Sequence, residues 1–137
     1  MVVVLDQWAK FLVITSLTIH QSHNIIKDIL HITLVYNTGA AFGIFKGKAV
    51  LFTFVAAAAS IGIIIFYKLK KVKNRIVEFS LGLILGGAIS NLIDRLRFGY
   101  VLDFIDFRIW PVFNLADSAI TLGVALIICF IFMTERA

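Results

Sequence analysis

Cysteine is almost missing: Cys129 is the only one in 137 residues, and it sits inside an apolar run. An internal disulfide is impossible and a thiolate cluster for metal is excluded. Charge is scarce too, at 15% of residues against 61% hydrophobic, with one proline and a mean hydropathy of +0.99. A soluble domain of this length would turn a large apolar surface to water, so lipid is the expected solvent. Nothing resembles a cleavable signal peptide, because the first apolar stretch contains Asp6 and Lys10 and lacks a small-residue cleavage site.

The charges that do occur are unevenly placed. Net charge is +5, yet five of the thirteen basic residues (Lys68, Lys70, Lys71, Lys73 and Arg75) crowd between two apolar runs. That pattern fits a cytoplasmic loop obeying the positive-inside rule, not a nucleic-acid surface, and no nucleic-acid partner is expected. Apolar runs predict four spans, at about 1–17, 49–67, 76–93 and 114–133. The first is read as a span whose inner end is shortened or missing; its Asp6 and Lys10 lie four apart, share a helix face and can pair. With the basic loop inside, both termini are cytoplasmic, and residues 18–47 and 94–114 lie on the outer side. Tyr100 and Trp110 are then expected at the outer interface and Tyr67 at the inner one.

The outer segments have patterns of their own. "HITLVYN" (31–37) alternates like a strand, and "NTGAAFGIF" follows, with a turn at Asn37 and Gly39 and with Phe42, Ile44 and Phe45 able to enter the interface. His20, His23 and His31 match no common metal spacing and are expected to be solvated. Gly82 and Gly86, four apart in the third span, suit close helix packing in lipid.

Half of the eight carboxylates (Asp94, Asp103, Asp106 and Asp117) fall between residues 94 and 117, at one depth on the outer side. Each has a plain structural explanation. Asn114 and Asp117 read as a helix N-cap and third position, Asp94 and Arg95 as an interfacial ion pair, and Asp103 and Asp106 as hydrated loop residues. The neighbours weigh against that explanation. Asp103 and Asp106 are embedded in Val101, Leu102, Phe104, Ile105 and Phe107, which favours an extended segment in which the two point to opposite faces, one to solvent and one inward. Ionisable groups among apolar ones at a membrane edge suggest function. Two carboxylates at one low-dielectric site resist ionising together and share a proton. The charged member can take a proton from water while the protonated one polarises a carbonyl and serves the leaving amine. That is amide hydrolysis without metal, thiol or serine nucleophile.

Five blocks resemble, in order and spacing, those of bacterial lipoprotein signal peptidase, the signal peptidase II family: "DQWAK" (6–10), "NTGAAFG" (37–43), "GGAISNLIDR" (86–95), "GYVLDF" (99–104) and "FNLADSAI" (113–120). The resemblance implies an all-α membrane protein with four transmembrane helices, a small extracytoplasmic β-sheet and an interfacial helix, forming one peptidase domain over 1–137. It implies a membrane aspartic endopeptidase that cleaves diacylglyceryl-modified prolipoproteins just before the lipidated cysteine. Asp103 and Asp117 match the family's catalytic pair, and Asp106 a position that is not catalytic. Asn37, Gly87, Asn91, Asp94, Arg95, Asn114 and Ala116 match positions that line or brace the site; Asp6 and Lys10 match a polar pair on the first helix. Ser90 departs from the glycine more usual before the asparagine, and only five residues precede Asp6 where a longer apolar lead is usual. No metal or cofactor is expected. The partners implied are the lipidated substrate and membrane lipid, for a monomer in the bacterial inner membrane with its site near the outer leaflet. The rival readings are a small proton- or ion-coupled transporter using the aspartates as a relay, and a non-catalytic membrane scaffold.

Overall fold

Among the residues described in the computed structural model (1–39, 49–70 and 72–135), four helices and three short strands follow one another along the chain. The order is α1 (Val2–Ser16), β1 (Ser22–Ile26), β2 (Leu30–Asn37), α2 (Ala49–Lys70), α3 (Arg75–Phe98), β3 (Val101–Asp106) and α4 (Leu115–Thr134). Helices α2, α3 and α4 are long and apolar enough to cross a membrane. Helix α1 has 15 residues; at about 1.5 Å per residue it covers about 22 Å, less than the ~30 Å hydrocarbon core. The expected interfacial helix, with Phe42, Ile44 and Phe45, falls outside the described residues.

The molecule is apolar outside and polar within. Val50, Phe54, Ile61, Leu122 and Phe132 project outward, whereas Asp6, Lys10, Ser80, Ser90, Asn91, Asp94 and Asn114 are buried. Lipid gives helices no hydrophobic reason to associate, so close contact and interhelical hydrogen bonds must hold them. Glycine provides the contact. A Cβ added at Gly87 would collide with the Ala116 carbonyl oxygen of α4, and one at Gly123 would stand 2.7 Å from the Ser80 carbonyl oxygen of α3. Gly86 meets Val2 of α1 in the same way, at 2.9 Å, but Gly82 faces open space. The Gly82–Gly86 pair read from the sequence is therefore not the packing motif; Gly86 and Gly87 are, each against a different helix.

Helix α3 ends later than its apolar run. Asn74 caps its start, accepting from the N–H groups of Ile76 and Val77 at 2.9 and 3.2 Å, and Gly99 ends it in the left-handed region at φ 79°, its N–H returning to the Arg95 carbonyl at 3.0 Å. The expected stop at Ile93 is overrun because Asp94 is buried inside the bundle instead of marking its edge. Helix α4 starts after Asn114, as expected, with the Asn114 side chain accepting from the Asp117 N–H at 2.8 Å.

The sheet is antiparallel, in the order β1-β2-β3. Strand β2 covers the alternating stretch, and Asn37 closes the turn expected beyond it by accepting from the Gly39 N–H at 3.0 Å. Strand β1, which the sequence did not announce, pairs with β2 through a hairpin whose Asp28 sits at φ 60°. Between β2 and β3 the register shifts between Ile32 and Val35, where β2 carries one extra residue. Beyond that bulge the two faces of β3 meet different parts of β2. Phe113 completes the far edge, bridging to Ile105.

Candidate active site

Strand β3 and the first turn of α4 bring Asp103 and Asp117 to one cavity of about 840 Å³. Asn37, Asn91 and Arg95 line it beside them, and Phe52, Trp110 and Phe113 contribute to its apolar wall. Ser118, Thr121, Leu122 and Ala125 extend it along α4.

Amides orient the pair. Asp103 is 1% exposed. One oxygen accepts from Asn37 Nδ2 at 2.8 Å, across the ladder, and the other from Asn114 Nδ2 at 2.6 Å. Asp117 Oδ1 accepts from Asn91 Nδ2 at 2.7 Å. Asn114 also donates to Asn91 Oδ1 at 3.2 Å, so the chain Asp103–Asn114–Asn91–Asp117 is continuous. Burial, and then the charge of Asp117, push the Asp103 carboxyl up to about 7, against the opposing pull of the Asn37 and Asn114 hydrogen bonds and of Lys10. A carboxyl in that condition is ready to hold the shared proton near neutral pH.

Asp106 lies on the opposite face of the same strand. The sequence expected one of the two strand aspartates to face solvent, but Asp106 is also buried. The reason is its partners: Thr33 Oγ1 donates to it at 2.7 Å, the Arg108 N–H donates at 2.8 Å, and the Arg108 guanidinium stands 3.7 Å away. Burial alone would raise its carboxyl, but Thr33 and Arg108 outweigh it and hold Asp106 below the usual carboxylate range. It is a charged, structural group.

A second polar cluster lies behind the cavity. Lys10 Nζ stands 2.6 Å from Asp6 Oδ2 and 2.7 Å from Asp94 Oδ2, and donates to Asn91 Oδ1 at 3.1 Å. The expected Asp6–Lys10 pair is present, while the expected Asp94–Arg95 pair is not: Asp94 takes Lys10 instead, because its side chain points into the bundle. Arg95 lies at the cavity, its guanidinium 5.9 Å from the Phe52 ring centre and in electrostatic reach of Asp117 and Asp103. Gly87 and Ala116 serve as the close α3–α4 contact, which keeps Asn91 within reach of α4. Gln7, which no sequence pattern singled out, donates to Asp94 Oδ1 at 2.7 Å and to Ser90 Oγ at 3.1 Å. Ser90 donates in turn to Asp6 Oδ2 at 2.7 Å. Among the described residues no buried side-chain polar atom lacks a partner, and no group of three metal-capable side chains forms.

Comparison with known proteins identifies the family. The family model for signal peptidase (SPase) II matches residues 1–133. A lipoprotein signal peptidase of Halothermothrix orenii is 48% identical over 135 residues, covering 98% of this chain and 92% of the relative. One of Moorella thermoacetica is 45% identical over 130 residues, covering 95% and 86%. A solved structure of a bacterial membrane enzyme superposes with a TM-score of 0.92 at 36% identity, covering 98% of this chain and 84% of that one. A second gives 0.86 at 37%, covering 95% and 86%. A match across nearly the whole chain, with relatives of similar length, makes this protein a member of the signal peptidase II family.

Proposed function

We propose that this membrane peptidase is an aspartic endopeptidase that removes the signal peptide from diacylglyceryl-modified prolipoproteins, cutting just before the lipidated cysteine, with Asp103 and Asp117 as its catalytic dyad. The observation that carries the reading is the amide-linked pair of carboxylates at the end of a cavity that runs on along apolar α4. Lipid chains would lie in the hydrocarbon and against Leu122 and Ala125, leaving the scissile carbonyl at the dyad. The charged aspartate takes a proton from water, and the resulting hydroxide attacks the carbonyl carbon. The protonated aspartate donates to the carbonyl oxygen. The tetrahedral intermediate collapses as its C–N bond breaks and the amine leaves with a proton from the dyad, so no covalent enzyme adduct forms. Asn37, Asn91 and Asn114 hold the dyad oxygens, and Arg95 faces the substrate backbone.

The membrane arrangement completes the reading. A single domain over 1–137 crosses the bilayer with α2, α3 and α4, with α1 a shorter fourth helix packed beside α3 and the dyad near the outer leaflet of the bacterial inner membrane. The protein works as a monomer among lipids. An ion relay finds no support here: the relatives are lipoprotein signal peptidases, and Asp6, Asp94, Asp103 and Asp117 gather around one site instead of following a path through the helices. The test is electrophoretic mobility of a diacylglyceryl-modified prolipoprotein incubated with purified protein. Wild type should convert it to the mature form, with the unlipidated substrate left uncut. Conversion by Asp103→Asn or Asp117→Asn at the wild-type rate would refute the dyad.

A further inference from the structure

Two carboxylates of the cluster behind the cavity accept from the main chain, each from the residue before a dyad aspartate. Asp6 Oδ1 accepts from the Ala116 N–H at 2.9 Å, and residue 116 precedes Asp117. Asp94 Oδ2 accepts from the Leu102 N–H at 3.1 Å, and residue 102 precedes Asp103. Both N–H groups need an outside partner. Ala116 lies in the first turn of α4, whose donors have no acceptor within the helix. Leu102 lies in a β3 segment whose far edge has no strand beside it among the described residues; the Phe113 bridge serves Phe104 and Ile105.

Lys10 joins the two points. Its ammonium has three N–H donors, and its three near partners are Asp6 Oδ2, Asp94 Oδ2 and Asn91 Oδ1. The third bond also fixes which way the Asn91 amide faces. With Oδ1 held by Lys10 and Asn114, Nδ2 is left to point at Asp117. Every charge in the cluster is 2% exposed or less, so the attraction acts with little screening by water.

We propose that Asp6, Lys10 and Asp94 form a clamp that sets the separation of the two dyad carboxylates through the backbone N–H preceding each, which makes Lys10 a positioning residue for catalysis. This rests on the dyad reading. Satisfying these two N–H groups also stabilises the fold, so a positioning role is read from kcat in folded variants and not from stability. Gln7 and Ser90 brace the two ends of the clamp, Gln7 on Asp94 and Ser90 on Asp6. Ser90 therefore ties the Asp6 end of the clamp to α3 through its hydroxyl.

The test measures kcat and KM on the lipidated substrate, alongside thermal unfolding in detergent, for Lys10→Met, Asp6→Asn, Asp94→Asn, the double Asn variant and Ser90→Gly. Misplacing one reacting group by about 1 Å costs about 100-fold in rate. Lys10→Met should therefore lose about 100-fold in kcat, with KM within about twofold. Each Asn variant keeps an oxygen for the backbone N–H, so its loss should be smaller. If the two acids are ends of one device, the double variant should be no worse than the poorer single. Ser90→Gly should lose about three- to tenfold in kcat. Should Lys10→Met fail to fold, the double-variant cycle and Ser90→Gly decide. The clamp is overturned if folded variants keep wild-type kcat, if the loss is all in KM, or if the two single losses multiply in the double. The dyad fails separately, through activity in Asp103→Asn or Asp117→Asn, whatever the clamp variants do.

Discussion

Asp103 and Asp106 stand three residues apart on one strand, both buried, and their surroundings pull them in opposite directions. Asp103 meets amide donors and a second carboxylate, and its carboxyl is pushed up to about 7. Asp106 meets a hydroxyl, a backbone N–H and a guanidinium, and is held below the ordinary range. Burial is common to both, so it does not by itself mark a functional acid. The partners do: a cation and dipoles aimed at one carboxylate lock its charge, whereas a second carboxylate leaves a proton to be shared.

The largest expected effect separates the two faces outright. In the proposed mechanism Asp103 changes protonation, so Asp103→Asn should cost at least about 1,000-fold in kcat, measured as initial cleavage rate. Next comes the amide that ties the dyad together. Asn114→Ala deletes the donor to Asp103 and the cap on the Asp117 N–H; it should cost about 10- to 100-fold in kcat and about 1 kcal/mol of stability, read by denaturation.

Acid–base linkage gives a third contrast, with opposite signs. Between the ordinary carboxylate pKa and about 7, Asp103 keeps its proton when folded but loses it when unfolded, so its contribution to stability falls as pH rises through that window. Asp103→Asn should therefore unfold at a higher temperature than wild type at pH 8, with the advantage fading near pH 4. Asp106 is depressed, so its contribution is present above the unfolded pKa and lost as pH falls through the folded one. Asp106→Asn should lose stability at neutral pH and match wild type in strong acid. The smallest expected effect is on activity: Asp106→Asn should retain kcat within about twofold, since it touches no reacting group.

The sequence showed the helices well, because runs as apolar as Ala49–Tyr67 have few alternatives to a span. It read Asp94 wrongly as a boundary. A charge looks like the end of a span until its partner is known, and Lys10 lies 84 positions away. Strand β1 was hidden because all five of its residues are exposed and carry no alternation. A paired-acid chemistry was an expectation from the sequence, and the resemblance alone preferred Asp103 to Asp106. What sets the two acids apart in the structure is the β2 bulge, which puts Asn37 on one face of β3 and Thr33 on the other. No short-range pattern encodes it. Gln7 was invisible for the same reason, its partners lying on another helix.

The most direct test sets the two faces of β3 side by side. Initial rates of prolipoprotein cleavage would be measured for Asp103→Asn and Asp106→Asn in the same membrane preparation. Turnover should be near background for the first and near wild type for the second. Equal losses in both, or a reversed order, would contradict the assignment of Asp103 to the dyad.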